Sequence, residues 1–316
     1  MFEKAPIVFF CYARPWHTFR ALTALSENLL SENSRLFIFC DGPKPEADEN
    51  QLRNIQEVRE IVKSKNWCGE VHIIIREKNF GLANSVIQGV SQIVEKYSKV
   101  IVLEDDLIPS PYFLEYMNTA LDYYNDNEKV MQISGYNFPV EIKNTDDCFF
   151  LPLATSWGWG TWKKSWDYFD SSASGYIDLK VDPQLRYSFD FGGSYPYSNA
   201  LLRQMQGGKI DSWAIRWWWS VFKRQGLVLY PHKSLIENIG WDGSGTHKGI
   251  NNPFMETNNV RNFRVTRYPK NIIEDLKKSE IVRRYLKQLF NTSDKIERRP
   301  NLLSRFFMNW KYSFKH

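Results

Sequence analysis

The stretch Lys99-Val-Ile-Val-Leu-Glu-Asp-Asp-Leu107 constrains this chain most. Val100 to Leu103 are apolar and mostly β-branched, and they run straight into Glu104, Asp105 and Asp106. An unbroken apolar run predicts a strand buried on both faces, as in a parallel sheet. Three acids at its end cannot be buried unpaired, so they need solvent, donors or a cation. Ligands of open α/β sheets bind at the C-terminal ends of the strands. Adjacent carboxylates there suit a hard divalent ion that also holds a phosphate. The alternative is that Asp105 and Asp106 cap the next helix. Ser110-Pro111 offers a better start, with Ser110 as N-cap and Pro111 at the first helical position.

The rest of the first half alternates strand and helix. Strands are expected at Ile7 to Tyr12, Arg35 to Cys40, Val71 to Ile75 and Val130 to Ser134. The helices between them are expected to start at Thr18, Pro45, Leu82 and Pro111. Such alternation implies parallel strands with right-handed crossovers. Each early strand ends in a candidate ligand group: Arg14, then Asp41, then Arg76 with Asn79, then the acid triplet. These groups share one sheet edge, where one side chain can meet phosphate or a base and another a ribose. Taken singly, each also reads as an ordinary turn residue. In Asn79-Phe-Gly-Leu-Ala-Asn84, Gly81 lets the backbone turn tightly or approach a ligand. The helix N-terminus that follows favours an anion. Neither G-x-G-x-x-G nor a P-loop is present.

From Phe149 the pattern changes. Ser156-Trp-Gly-Trp-Gly-Thr-Trp162 sets three indoles among two glycines, as a ligand wall or as a packed core. Asp211 precedes a Trp-rich helix at Trp213 to Gln225, where it is either an N-cap or a general base. Gly240-Trp-Asp-Gly-Ser-Gly-Thr-His247 is a loop whose histidine is either solvated or a metal ligand.

The 316 residues and 43% hydrophobic content support one large α/β domain or two small ones. Net charge is +5 but unevenly placed: from Arg261 onward fifteen Lys/Arg stand against five Asp/Glu. A basic tail of this kind meets an anionic surface. In it Leu302, Leu303, Phe306, Phe307, Trp310 and Phe314 share one helical face, with Arg305, Lys311 and Lys315 opposite. That pattern suits an interfacial helix on anionic lipid or a helix docked on the domain. Cys11, Cys40, Cys68 and Cys148 form no C-x-x-C pair and read as buried free thiols of a reducing compartment. No signal peptide or membrane-spanning stretch is visible, so the expected location is cytoplasmic, on the inner face of the membrane if the tail binds lipid.

Over roughly residues 5 to 250 the sequence resembles GT-A glycosyltransferases, of the N-acetylglucosaminyltransferase I type and the bacterial family-2-like type. The resemblance lies in Glu104-Asp105-Asp106-Leu107 with Pro111-Tyr-Phe-Leu-Glu-Tyr116. Weaker pieces are Pro6 to Arg14, Asn79 to Asn84, Gly158-Trp159 and Asp211-Ser-Trp213. It implies a Rossmann-like, mostly parallel sheet flanked by helices. Residues 1–136 would bind a nucleotide-sugar, usually UDP-linked. Residues 137–255 would form an aromatic-rich acceptor half carrying the base, and 256–316 a basic helical extension.

The resemblance also implies Mn2+ or Mg2+, ligated by Asp106 with help from His247. Arg14 and Asp41 would hold the nucleotide, with Arg76, Asn79, Gly81 and Asn84 beside them. Glu104 and Asp105 would reach the donor sugar and ribose. Trp157, Gly158 and Trp159 would face the acceptor, and Asp211 would deprotonate its hydroxyl. Ser212 stands where the family's base region has a second acid. The implied activity is inverting, metal-dependent transfer to a glycan or lipid-linked acceptor in bacterial surface polysaccharide synthesis. The alternatives are a non-catalytic carbohydrate-binding protein and a nucleotidyltransferase. Nucleic acid is not an expected partner, because the positive charge is concentrated in one tail.

Overall fold

The computed structural model describes residues 3–140, 147–208, 211–243 and 263–297, with side chains to 290 in the last stretch. His247 and the tail face at Leu302 to Phe314 lie outside the described residues.

The first half follows the alternation: β1 (Ile7–Cys11), α1 (Pro15–Ser26), β2 (Arg35–Cys40), α2 (Glu49–Lys63), β3 (Glu70–Ile75), α3 (Leu82–Tyr97) and β4 (Lys99–Glu104). A short β5 (Leu107–Pro109), α4 (Phe113–Tyr123) and β6 (Val130–Ser134) come next. The second half holds β7 (Cys148–Leu151), β8 (Trp159–Trp162), α5 (Lys163–Trp166), α6 (Pro183–Phe189), α7 (Tyr197–Met205) and α8 (Trp213–Lys223). It closes with β9 (Leu227–Pro231), β10 (Ile236–Asn238) and α9 (Leu276–Glu297).

One eight-stranded sheet takes strands from both halves, in the order β3-β2-β1-β4-β8-β6-β9-β7. The pairs β3–β2, β2–β1, β1–β4 and β6–β9 are parallel. Only β8 and β7 run against the rest. The fold is therefore mixed α/β with a mostly parallel sheet. Successive strand residues point to opposite faces, so Ile7, Phe9 and Ile101 join the core under α1, α2 and α4. Val8, Phe10, Val100 and Val102 join the core under α3 and α8.

Three helix starts differ from expectation. α1 begins at Pro15, whose fixed φ and missing N–H suit the first helical position. Thr18 is instead buried inside that helix, with its hydroxyl donating to Arg14 O at 2.9 Å. α2 starts after Asp48, whose carboxylate accepts from Gln51 N at 2.7 Å. α4 starts at Phe113, because Ser110 N donates to Leu235 O at 2.8 Å as β5 pairs with β10.

The aromatic run is core. Trp159, Trp162, Trp166, Trp213, Trp217, Trp218 and Trp219 are all buried. Trp159 stacks on Trp213 with ring centroids 5.0 Å apart, and Trp217 Nε1 donates to Gln132 Oε1 at 2.6 Å. All four cysteines are buried and free, and the Cys11 and Cys40 sulfurs lie 3.5 Å apart. Among the described residues no helix is long and apolar enough to cross a membrane.

Candidate active site

The acids leave the sheet where β4 ends. Arg14, at the tip of neighbouring β1, turns back onto them. Its Nη2 donates to Asp105 Oδ1 and, at 2.9 Å, to Asp106 Oδ2. Burial works against the Arg14 charge, but the two carboxylates raise its pKa above the ordinary arginine value. Burial also raises Asp105, with Arg14 pulling the other way. Burial, reinforced by Asp106 and Asp105, pushes Glu104 up to about 8. Two carboxylates thus share one guanidinium, and the third, Glu104, lies beside them with its charged form disfavoured by burial.

A segment more than a hundred residues away walls this cluster. β10 pairs with β5, placing Asn238 opposite Leu107, and Ile239 N donates to Asp106 O at 2.9 Å. The backbone at Gly240 then lies so close that any side chain there would collide with the Asp106 carboxylate. Two residues on, Asp242 Oδ2 reaches 3.2 Å from Nε2 of His17, a buried residue of α1. Neither His17 nor Asp242 was singled out in the sequence. The available signal was Pro15: starting α1 there puts His17 about one turn beyond Arg14.

A second node sits at the tips of β2 and β3. The Asp41 carboxylate accepts from Gly42 N at 3.0 Å, Phe80 N at 2.9 Å, Gly81 N at 2.9 Å and Asn79 Nδ2 at 3.1 Å. A carboxylate has about four lone-pair sites, so the chain itself fills Asp41. This departs from the expectation that Asp41 grips the nucleotide: its carboxylate fastens the loop before α3. Asn79 is held in the same knot and also donates to Gly42 O at 2.9 Å. Arg76 stands 4.0 Å from Asp41, donates to Ser85 Oγ at 2.5 Å and stacks over Phe80. Asn84 is exposed and donates to Phe80 O at 3.1 Å. Gly81 caps α3 with φ +76, and nothing lies within 4 Å of where a side chain would be. The two nodes flank Cys11, which feels the charge of both Asp105 and Asp41.

The expected acceptor residues divide. Trp157 is half-buried and meets Tyr136 edge-on at 4.7 Å, just before β8 and beside the acid edge. Trp159 is 0% exposed, so its expected contact with an acceptor is corrected to core packing. Gly158 has φ +58, and a Cβ there would stand 2.5 Å from Ile236 Cγ1. Its role is close packing. Asp211 lies before α8 with its side chain 56% exposed, paired to Arg216 Nη2 at 2.6 Å. The structure brings it to Arg216 and not into the acid cluster.

A divalent cation fits this edge by donor chemistry. The donors are hard carboxylate oxygens at one strand tip, Asp105 and Asp106 paired with Arg14 and Glu104 beside them. Among the described residues no three His, Cys, Asp or Glu converge as a ready cage. Mg2+-type sites commonly use one or two carboxylates and complete their shell with water and substrate phosphates. Asp106 and Glu104 are the residues that would hold the ion.

Fold and site together define an α/β protein with an acidic ligand edge at the tip of a central strand, the arrangement the GT-A resemblance implies. No family model and no curated protein matches the sequence. Solved structures do. A mannosyltransferase from Pyrobaculum calidifontis, in complex with GDP-Man and Mn2+, matches at 9% identity and TM-score 0.40 over 69% of each chain. TarS of S. aureus matches at 12% and 0.32, over 48% of this chain and 25% of that one. A UDP-glucose pyrophosphorylase complexed with UDP-glucose matches at 9% and 0.32, over 52% and 79%. At such identities and TM-scores the likenesses decide nothing about activity. The functional reading rests on the site.

Proposed function

We propose that this chain is an inverting, metal-dependent glycosyltransferase. It would move a sugar from a nucleotide-sugar, with UDP-sugars the first donors to try, to a hydroxyl of a glycan or lipid-linked acceptor. Bacterial surface polysaccharide synthesis is the setting this reading favours, with the basic tail resting on anionic lipid. The observation that carries it is the acid cluster at the tip of β4, where Asp105 and Asp106 share Arg14 and Glu104 lies beside them. Hard carboxylate oxygens at a strand tip suit a divalent cation, and a cation there would call for an anionic ligand such as a diphosphate.

Bound at Asp106 and Glu104, Mn2+ or Mg2+ would neutralise charge developing on the departing diphosphate. Arg14 has two tasks. It holds Asp105 and Asp106 in place, and its remaining donors would face the diphosphate of a bound donor. Asp105 stays buried against Arg14 and faces ribose or donor sugar. Asp41 acts at one remove, by fixing the loop whose open backbone at Gly81 lets a donor approach. Asp211, exposed and paired through Oδ1 with Arg216, would accept the acceptor's proton, and Trp157 would offer the acceptor an aromatic face.

Incubation with UDP-, GDP- and dTDP-sugars, with and without Mn2+, tests this by release of nucleoside diphosphate. At least one donor should turn over only with metal. Failure of every donor under both conditions would remove the proposal.

A further inference from the structure

A cavity of about 380 Å3 lies far from the acid edge. Its floor includes Gly226 and Leu227, where β9 begins. β9 runs parallel to β6, and β8 is antiparallel to both β6 and β4. Hence β9 points the same way as β4, and the cavity opens at the opposite edge of the sheet from Glu104.

Its lining is aromatic on several sides: Tyr187, Phe191, Trp218 and Phe222. Tyr187 is 53% exposed, whereas Phe191 and Trp218 are buried walls. The charged groups are Arg283, from α9, and Glu274, with Ser188 and Gln225 also on the lining. Arg283 Nη2 lies 3.4 Å from Glu274 Oε1, and the guanidinium sits 4.7 Å over the Phe191 ring. Arg283 Nε is buried, and among the described residues it has no acceptor. A buried donor without a partner needs an account.

Two helices end at the same place. Phe191 and Gln225 are non-glycine residues with φ +50, and both line the cavity. Gly192 and Gly193 between them and Arg283 are also left-handed, and the Arg283 and Tyr187 side chains lie against them. Phe191 and Gln225 each close a helix, Phe191 after α6 and Gln225 after α8, with Gln225 N donating to Phe222 O and Gly226 N to Val221 O, so two left-handed helix stops form the cavity rim.

We infer that this cavity is a second binding site, and that it takes a neutral sugar ring of a glycan. The exposed Tyr187 ring offers a face to the C–H face of a pyranose, backed by the buried Phe191 and Trp218. A guanidinium beside a carboxylate offers donors and an acceptor to ring hydroxyls with no net charge, which disfavours a phosphate or a carboxylate ligand. The volume falls at the lower end of the 300–1,000 Å3 usual for small-ligand pockets, which suits one or two sugar units. Because it sits across the sheet from the acid edge, it holds glycan without touching the reacting atoms.

The test is saturation-transfer NMR on the full chain with maltose, cellobiose and N,N′-diacetylchitobiose. At least one should receive magnetisation from the protein. Tyr187→Ala, at an exposed position, should weaken binding roughly fivefold or more by removing a stacking face. Arg283→Gln should weaken it as well, and Asp106→Asn should leave it unchanged. No transfer to any of the three sugars overturns the inference. So does binding that survives both cavity substitutions. Binding lost in Asp106→Asn but kept in Tyr187→Ala also overturns it, while leaving the glycosyltransferase reading intact.

Discussion

At the residue scale, two glycines separate two kinds of constraint. Gly81 (φ +76, ψ 159) occupies a backbone region that is essentially glycine's alone, with open space around it. Gly81→Ala should cost about 1–3 kcal/mol from backbone strain. Gly158 is also left-handed, but a side chain there meets Ile236 at 2.5 Å and Phe113 at 3.3 Å. Gly158→Ala should cost the same strain plus about 1–3 kcal/mol of overpacking. Urea unfolding of both variants checks this, and equal losses would contradict the packing described at β8. The same scale shows what the sequence could carry. The strand-end rule put Arg14, Asp105 and Asp106 at one edge, and the fold joins them by direct ion pairs. It could not show that Asp41 spends its carboxylate on three backbone N–H groups and Asn79, because those bonds depend on the loop path. Nor could it show Gly240 and Asp242 arriving from a remote segment.

At the element scale, legibility tracks periodicity. α3 spans the expected Leu82–Tyr97, because Val86, Val90, Ile93 and Val94 mark one buried face. β8 has four residues, all buried, inserted antiparallel between β4 and β6. A strand so short and buried on both faces has no alternation to read. Its Trp-Gly-Thr-Trp therefore reads equally as a ligand wall or as packed core from sequence, and the fold makes it core. Residues 263–275 form an extended strap that laces edge strand β7 to α4. Tyr124 Oη donates to Pro269 O at 2.8 Å, and Asp275 N to Phe150 O at 3.0 Å. Asp147 anchors the strap by accepting from Thr266 N and Oγ1 and from Arg267 N and Nη2. Burial opposes its charge, but these donors, Arg267 first, lower its pKa from 3.8 to about 2. A carboxyl depressed in the folded state contributes stability that is full above its unfolded pKa and is lost as pH falls through the folded one. The stability gap between the protein and Asp147→Asn should therefore be constant above about pH 5 and shrink between about pH 4 and 2. A gap independent of pH in urea melts would contradict the anchoring role.

At the scale of the whole molecule, charge is divided. Residues from Arg261 onward carry +10 and the remainder −5. If the tail meets lipid as proposed, the full chain should pellet with phosphatidylserine liposomes at low salt, and salt should release it. Deleting residues 298–316 should abolish pelleting, and equal pelleting with and without them would contradict the membrane role. The sheet meanwhile presents two opposed edges. Carboxylates and Arg14 gather at the tips of β1 and β4, and an aromatic cavity opens where β9 begins. Under the two proposals, one edge would handle an activated sugar while the other would hold glycan.

The most direct test of the acid edge is calorimetric titration of UDP, GDP and dTDP into the protein, with and without Mn2+, repeated on Asp106→Asn. At least one nucleotide should bind only when Mn2+ is present, and Asp106→Asn should weaken that binding roughly tenfold or more, the scale of losing one charged contact. Metal-independent binding of equal strength in both proteins, or no binding of any nucleotide, would contradict the account.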